Sequence, residues 1–230
     1  MTPLNAAIIT GLVLIVSNLI GALYSMVVLK SRALEPFSIQ PDKSYQKKIF
    51  SKRIGLFLLN FVILLSMSSV NVYFFFDLFD SSFPAWWILI IQVLIAFIVD
   101  DFWFYFIHRL MHENKYLLKK VHAIHHRSTK PFPLEYLYAH PLEWMMGLVG
   151  SILAFAVIYL LMPVSIYSFW IFGVLRNLHE IQIHSDVEIP ILCKLPFISK
   201  TRNHDDHHAR LTGNYASTFT WMDRIFNTKL

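Results

Sequence analysis

Cysteine is almost missing from this chain. Cys193 is the only one in 230 residues. A single thiol excludes an internal disulfide, a disulfide-rich secreted scaffold and a cysteine metal site, and Cys193 reads as inert. Charge is scarce as well: Asp, Glu, Lys and Arg make up 15% of the chain, against roughly 25% in ordinary soluble domains. No internal repeat, low-complexity segment or Gly/Ser linker divides it. Disorder, a collagen-like fibre and a coiled coil are therefore excluded. Glu-x-x-His occurs nowhere, which argues against the carboxylate di-iron motif of soluble bundles. Apolar residues are what is abundant: 56% are hydrophobic, 16% aromatic, and mean hydropathy is +0.50. The expectation is an all-α, multi-span integral membrane protein, with 1–230 forming one membrane domain.

A bilayer crossing needs roughly 20 apolar residues. Stretches of that kind run over 5–29, 54–79, 84–107 and 142–162. A fifth, 163–184, is less pure and holds Arg176, His179 and Glu180. Pro163 separates the last two with almost no loop, which predicts a tight hairpin that does not cross fully. The first stretch is too long for a signal peptide and lacks a basic leader, so it reads as a retained span. The remainder, 110–141 and 185–230, is polar enough to lie outside the hydrocarbon.

The net charge is +5. No basic stripe or recognition motif accompanies it, so nucleic acid is not an expected partner. Seven basic residues fall in 30–53, six in 109–130, six in 194–229, and one is Arg176. The positive-inside rule then places the amino terminus outside and both polar segments in the cytoplasm. The membrane is either a bacterial inner membrane or the endoplasmic reticulum.

Eleven histidines lie between 108 and 208, and three groups have regular spacing. They are His108-Arg-Leu-Met-His112, His122-Ala-Ile-His125-His126 and His204-Asp-Asp-His207-His208. Residues at i, i+3 and i+4 share a helical face, so each group aims imidazoles at one point. Adjacent histidines diverge by about 100° on a helix, so one group can serve two metals. Eight imidazoles exceed the needs of one tetrahedral ion. Imidazole suits iron, zinc, copper or nickel, and ligand type leaves the metal open.

Other polar residues carry weaker signals. His184 is favoured as a further ligand over a capping or core histidine. His140 and His179 each stand open between a ligand, a donor behind a ligand and a satisfied buried group. Asp101 precedes His108 by two helical turns and is a candidate to orient its second ring nitrogen. An interfacial acid near the membrane edge is the alternative for Asp100 and Asp101. Glu143 and Glu180 need partners near apolar segments, and Arg176 with Glu180 forms an i, i+4 pair. The run Phe102–Phe106 reads as packing and interfacial belt, with substrate lining as the alternative.

The sequence resembles the fatty acid hydroxylase/sterol desaturase superfamily, and within it the C-4 methylsterol oxidases. The resemblance rests on Asp-Phe-Trp-Phe-Tyr-Phe-Ile-His-Arg-Leu-Met-His (101–112), Lys-Val-His-Ala-Ile-His-His (120–126) and Tyr-Ala-His-Pro-Leu-Glu (138–143). It continues with His-Asp-Asp-His-His (204–208) and Asn-Tyr-Ala-Ser-Thr-Phe-Thr-Trp-Met-Asp-Arg-Ile-Phe (214–226). It covers roughly 100–228. The sterol oxidases usually read His-Ser-Gly-Tyr where this chain has His184-Ser185-Asp186-Val187, and Phe-Gly-Thr where it has Phe226-Asn227-Thr228.

The resemblance implies a membrane di-iron oxygenase that uses O2 as cosubstrate and external electrons. It carries over His108, His112, His122, His125, His126, His204, His207 and His208 as metal ligands, with His184 matching the family's further histidine. Two iron ions are the expected cofactor, replaceable by zinc in purified material. The expected function is hydroxylation of a lipid C–H bond, with a sterol methyl or a related lipid as substrate. A lipid desaturase is the alternative within the superfamily. A histidine-rich metal transporter is the alternative from another class, although it should place ligands at the bilayer midplane. A metal-free membrane scaffold would need none of the histidine spacing. The lipid enters from the bilayer. No haem-attachment or flavin motif is present, so electrons come from a separate protein, cytochrome b5-like or ferredoxin-like.

Overall fold

The structure, a computed structural model, describes residues 1–230. Its helices are α1 (Pro3–Lys30), α2 (Ile49–Phe74), α3 (Trp86–Glu113), α4 (Lys115–Lys120) and α5 (Pro141–Leu161). They continue with α6 (Ile166–Ile183), α7 (Pro190–Cys193), α8 (Thr201–Arg210) and α9 (Trp221–Ile225). Two tight 3-10 turns, His122–Arg127 and Pro133–Leu137, bear on the site, as does a parallel pair of two-residue strands, β1 (Phe79–Asp80) and β2 (Val164–Ser165).

The chain is an all-α, multi-span membrane bundle. Helices α1, α2, α3 and α5 are each long and apolar enough to cross a membrane. Helix α1 shows why they need lipid. Thr2 Oγ1 accepts from Asn5 N at 3.2 Å and Pro3 occupies the first turn, a standard helix start. The buried stripe is Ala6, Thr10, Leu14, Ser17, Asn18, Gly21 and Ser25. Ile8, Leu12, Leu19 and Leu23 face outward and are exposed. Small residues inside and large apolar ones outside suit lipid, where close backbone approach drives helix association.

Some boundaries differ from the sequence expectation. Helix α2 runs 49–74 rather than 54–79, because Phe76–Leu78 turn away to deliver β1. Helix α3 continues past 107 to Glu113, so His108 and His112 ride on the same rigid rod as the span. It stops at Asn114, whose side chain accepts from Tyr116 N and Leu117 N and caps α4.

The hairpin at Pro163 also departs from expectation. Strand β2 pairs with β1, Phe79 against Val164 and Asp80 against Ser165. Since β1 lies in the α2–α3 connection, the α5–α6 turn reaches that same end, and the hairpin traverses the bundle. Gln92 clamps it there, donating to the Pro163 carbonyl at 2.8 Å and accepting from Ser165 N at 3.0 Å.

A second correction concerns 110–141, expected to lie outside the hydrocarbon. Within it, Phe132–Leu137 is buried between α1, α2 and α6. A non-helical backbone inside a bundle must have its polar groups satisfied by protein. Ser25 Oγ accepts from Leu134 N at 3.0 Å, and Asn60 Nδ2 donates to the Leu137 and Ala139 carbonyls, each at 2.8 Å. Tyr136 donates its hydroxyl hydrogen to Asn18 Oδ1. Glu135 is buried against Arg53, whose guanidinium lies 4.2 Å over the Tyr138 ring.

The connection between α1 and α2 closes over the histidine end. Lys130 Nζ donates to the carbonyls of Gln40 (2.7 Å) and Lys43 (2.8 Å) and pairs with Asp186 at 3.2 Å. Ser38 and Gln40 in turn donate to the Asp186 carboxylate.

Candidate metal centre

Nine histidines converge in two groups at one end of the bundle. His108, His112, His122, His126 and His207 form the first, and His125, His184, His204 and His208 the second. Within each group the candidate ligand atoms lie within 4.8 Å of one another. Adjacent histidines separate as their divergence requires: His126 joins the first group and His125 the second, while His207 and His208 part in the same way. The second histidine motif does this on a 3-10 turn rather than an α-helix.

In the first group, neighbouring Nε2 atoms are 2.8 to 3.2 Å apart. In the second they are 2.9 to 3.4 Å apart. Metal–nitrogen bonds of about 2.0–2.1 Å put neighbouring ligand nitrogens about 3.0–3.4 Å apart, so both groups fit an ion. Five of the far ring nitrogens are backed, whereas Nδ1 of His112, His126 and His208 is buried without a partner. Nδ1 of His108 bonds the Tyr215 carbonyl (2.8 Å), that of His207 the Gly213 carbonyl (2.8 Å), and that of His184 the Glu180 carbonyl (2.7 Å). Nδ1 of His122 meets Glu143 Oε1 at 2.9 Å, and that of His125 the Tyr138 carbonyl at 3.4 Å. A proton held on Nδ1 by an acceptor leaves the Nε2 lone pair facing the centre.

Burial keeps these rings neutral. It pushes His122 and His125 down to about 3 and His184 to about 4. His126 is also pushed down, and His204, His207 and His208 well down, by burial first and then by mutual repulsion. Neutral imidazole is the form that binds metal.

The remaining candidates fall outside the two groups. His140 caps α5, its Nδ1 accepting from Leu142 N at 3.0 Å. His179 Nε2 bonds the Ser217 carbonyl at 2.9 Å. Asp101 does not bond His108, contrary to expectation. Its carboxylate accepts from Thr218 N (2.7 Å), Phe219 N (3.3 Å) and Trp221 Nε1 (3.2 Å). Asp223 likewise accepts from Tyr215 N and Ala216 N. The two acids pin the carboxyl-terminal segment so that the Tyr215 carbonyl reaches His108. The i, i+4 pairing of Arg176 with Glu180 is also corrected. Arg176 Nε donates to Asp100 Oδ2 at 2.6 Å, and Glu180 accepts from Ser217 Oγ at 2.5 Å. Asp100 and Asp101 are thus buried partners of protein groups rather than interfacial acids.

The aromatic run divides by face. Phe102 and Phe106 point outward, Tyr105 is buried against the Phe226 ring (5.3 Å between centroids), and Phe104 lines a cavity at the histidines. Sequence reasoning missed the carbonyls of Gly213, Tyr215 and Tyr138, because every residue carries one and nothing in the sequence marks which is used. Glu143 was legible as an acid needing a partner, and the partner is His122.

A family model described as fatty acid hydroxylase matches residues 93–228, over half of the chain. The chain belongs to the fatty acid hydroxylase family. Methylsterol monooxygenase 1 of Gallus gallus is 33% identical over 202 residues, 85% of this chain and 67% of that protein. Methylsterol monooxygenase 1 of Rattus norvegicus is 36% identical over 165 residues, 69% of this chain and 55% of that protein. Very-long-chain aldehyde decarbonylase GL1-11 of Oryza sativa subsp. japonica is 38% identical over 150 residues, 63% of this chain and 54% of that protein. The chain thus spans between about half and two thirds of the length of these curated relatives. No solved structure matches it. Family membership and the paired histidine groups make this fatty acid hydroxylase family member a membrane oxidoreductase with a site suited to two metals.

Both departures from the sterol-oxidase pattern have a backbone reason. Asp186 has φ 59° and Asn227 has φ 52°. Each stands where the pattern that the sequence resembles has glycine, and Asp and Asn are the residues with a Cβ that best tolerate the left-handed region.

Proposed function

We propose that this chain, working as one membrane domain over 1–230, hydroxylates a C–H bond of a lipid with O2, most naturally a sterol methyl group or a related lipid. The observation that carries the reading is the pair of neutral imidazole groups beside a cavity lined by His108, His125, Phe104 and Trp144. Two iron ions, held by the nine histidines, would supply O2 activation, which side chains alone cannot perform. The chain's own part is to hold and orient. The Gly213, Tyr215 and Glu180 carbonyls and the Glu143 carboxylate fix the rings, and Phe104 and Trp144 keep water from the reacting carbon. Methylsterol monooxygenase relatives support a sterol substrate. The basic connections support a cytoplasmic centre, in a bacterial inner membrane or the endoplasmic reticulum. A separate cytochrome b5-like or ferredoxin-like protein donates the electrons.

Lipid mass spectrometry of a host with and without the chain tests the reading. A product heavier by one oxygen supports hydroxylation. Loss of two hydrogens assigns the desaturase reaction instead. Iron measured per chain in protein from iron-replete cells should approach two; zinc in its place with no product after iron reconstitution overturns the iron assignment.

A further inference from the structure

Three cavities share walls along the bundle. The first, about 70 Å³, lies at the histidines. The second, about 90 Å³, shares Trp144, Leu148 and Arg176 with it. The third, about 590 Å³, shares Ser68, Leu148, Ser151 and Phe169 with the second. It lies between α2 and α5 and reaches the β1–β2 end, with almost wholly apolar walls. Its size is that of a lipid or drug-sized ligand site, whereas the first holds only a few atoms.

Arg176 is the one cation on this path, and the metal centre makes no use of it. It lines the first and second cavities. Its Nε donates to Asp100 Oδ2 at 2.6 Å, and Asp100 is held in turn by Ser151 Oγ at 3.0 Å. Helix α5 comes this close because residue 150 is glycine: a Cβ there would stand 2.8 Å from Asp100 Oδ1. Asp100 is the only protein acceptor of the guanidinium. A buried charged pair is costly, and its fixed fork leaves terminal N–H groups to present to the cavities.

We propose that Arg176 is the anchor for an oxygen of the substrate, a hydroxyl or carbonyl on an otherwise apolar lipid. The proposal rests on the hydroxylase reading and adds the substrate's chemistry and pose. The apolar body fills the second and third cavities. The oxygen sits at Arg176, and the carbon offered for oxidation lies within a few bonds of that oxygen, in the small cavity at the histidines. Arg176 is a positioning residue; it selects oxygen-bearing amphiphiles over plain hydrocarbons of the same shape.

Equilibrium binding tests this apart from turnover. The probes are a radiolabelled 4-methylsterol and its 3-deoxy analogue, on metal-loaded full-length chain in nanodiscs. A hydrogen bond to a charged group predicts at least about tenfold tighter binding of the hydroxylated probe. In the charge-neutral double variant Asp100→Asn/Arg176→Gln the ratio should fall close to one. Gly173→Leu, at a wall position of the second cavity where an added Cβ meets nothing within 4 Å, should weaken both probes alike. Equal affinity of the wild type for the two probes overturns the proposal, whether or not the double variant folds. So does a ratio that survives in a folded, metal-loaded double variant. An intact ratio with no oxygen incorporated into any lipid supports the anchor and overturns the hydroxylase reading.

Discussion

Replacing Gly213 with alanine should strike the metal centre without touching a ligand. Gly213 has φ 72°, and its carbonyl accepts from His207 Nδ1 at 2.8 Å. An added Cβ would stand 2.5 Å from the Thr228 carbonyl oxygen and 2.9 Å from Leu230 Cγ. Ordinary contact is about 3.4 Å or more, so the terminal segment has to move by nearly an ångström. That oxygen also accepts from Asn214 N at 2.8 Å. The left-handed backbone costs alanine about 1–2 kcal/mol, and the disturbed hydrogen bond adds about 1 kcal/mol. Loss of the group that orients a ligand histidine weakens metal binding roughly 10–100-fold. Gly55→Ala is the control, since a Cβ there meets nothing within 4 Å. Competition with a metal-buffering chelator measures affinity, and thermal melting in detergent measures stability. A Gly213→Ala protein with wild-type metal affinity would refute the claim that this carbonyl sets His207.

Four further outcomes are expected. Acid should destabilise the metal-free protein: His122, His125 and His184 are lowered from about 6.5 to about 3–4 by burial. The unfolded chain therefore binds more protons, and stability present above pH 6.5 falls towards pH 4 by about 1.4 kcal/mol per pH unit per histidine. A flat melting temperature between pH 7.5 and 5 contradicts this. Glu143→Leu should lower metal affinity roughly 10–100-fold, whereas Glu143→Gln, which keeps an acceptor for His122 Nδ1, should lose less; equal losses would mean that the acceptor is not what matters. Asp101→Asn should loosen the 214–228 segment, read as faster amide exchange at Thr218 and Phe219, before it changes metal content. Asn227→Gly should be tolerated and Asn227→Val should cost about 1–2 kcal/mol in thermal stability; the reverse order would refute the left-handed assignment.

The histidine groups were legible because the helical period and the divergence of adjacent residues follow from local geometry. His125 and His126 had to point apart wherever the segment lay. The spans were legible because runs such as Ile54–Phe74 leave lipid as their only stable surroundings. Their ends were less so: α2 stops at Phe74 because β1 has a partner in β2, and that partner is distant in sequence.

Pairings among polar groups were decided by the tertiary structure alone. Arg176 meets Asp100 on α3 rather than Glu180 on its own helix, because a fully formed i, i+4 neighbour competes with an acid already buried and in need of a cation. Asp101 shares a helical face with His108, yet the backbone amides of Thr218 and Phe219 reach it first. Phe132–Leu137 lies in a stretch expected outside the hydrocarbon, and Ser25, Asn60, Asn18 and Arg53 satisfy its polar groups where it is buried. Sequence by itself determined the spans, the three histidine motifs and the divergence that lets one motif serve two metals, since those depend on composition and local period. Which acceptor holds each ring, and where the apolar path meets the metal centre, depend on contacts between residues far apart in the chain, and only the folded packing could decide them.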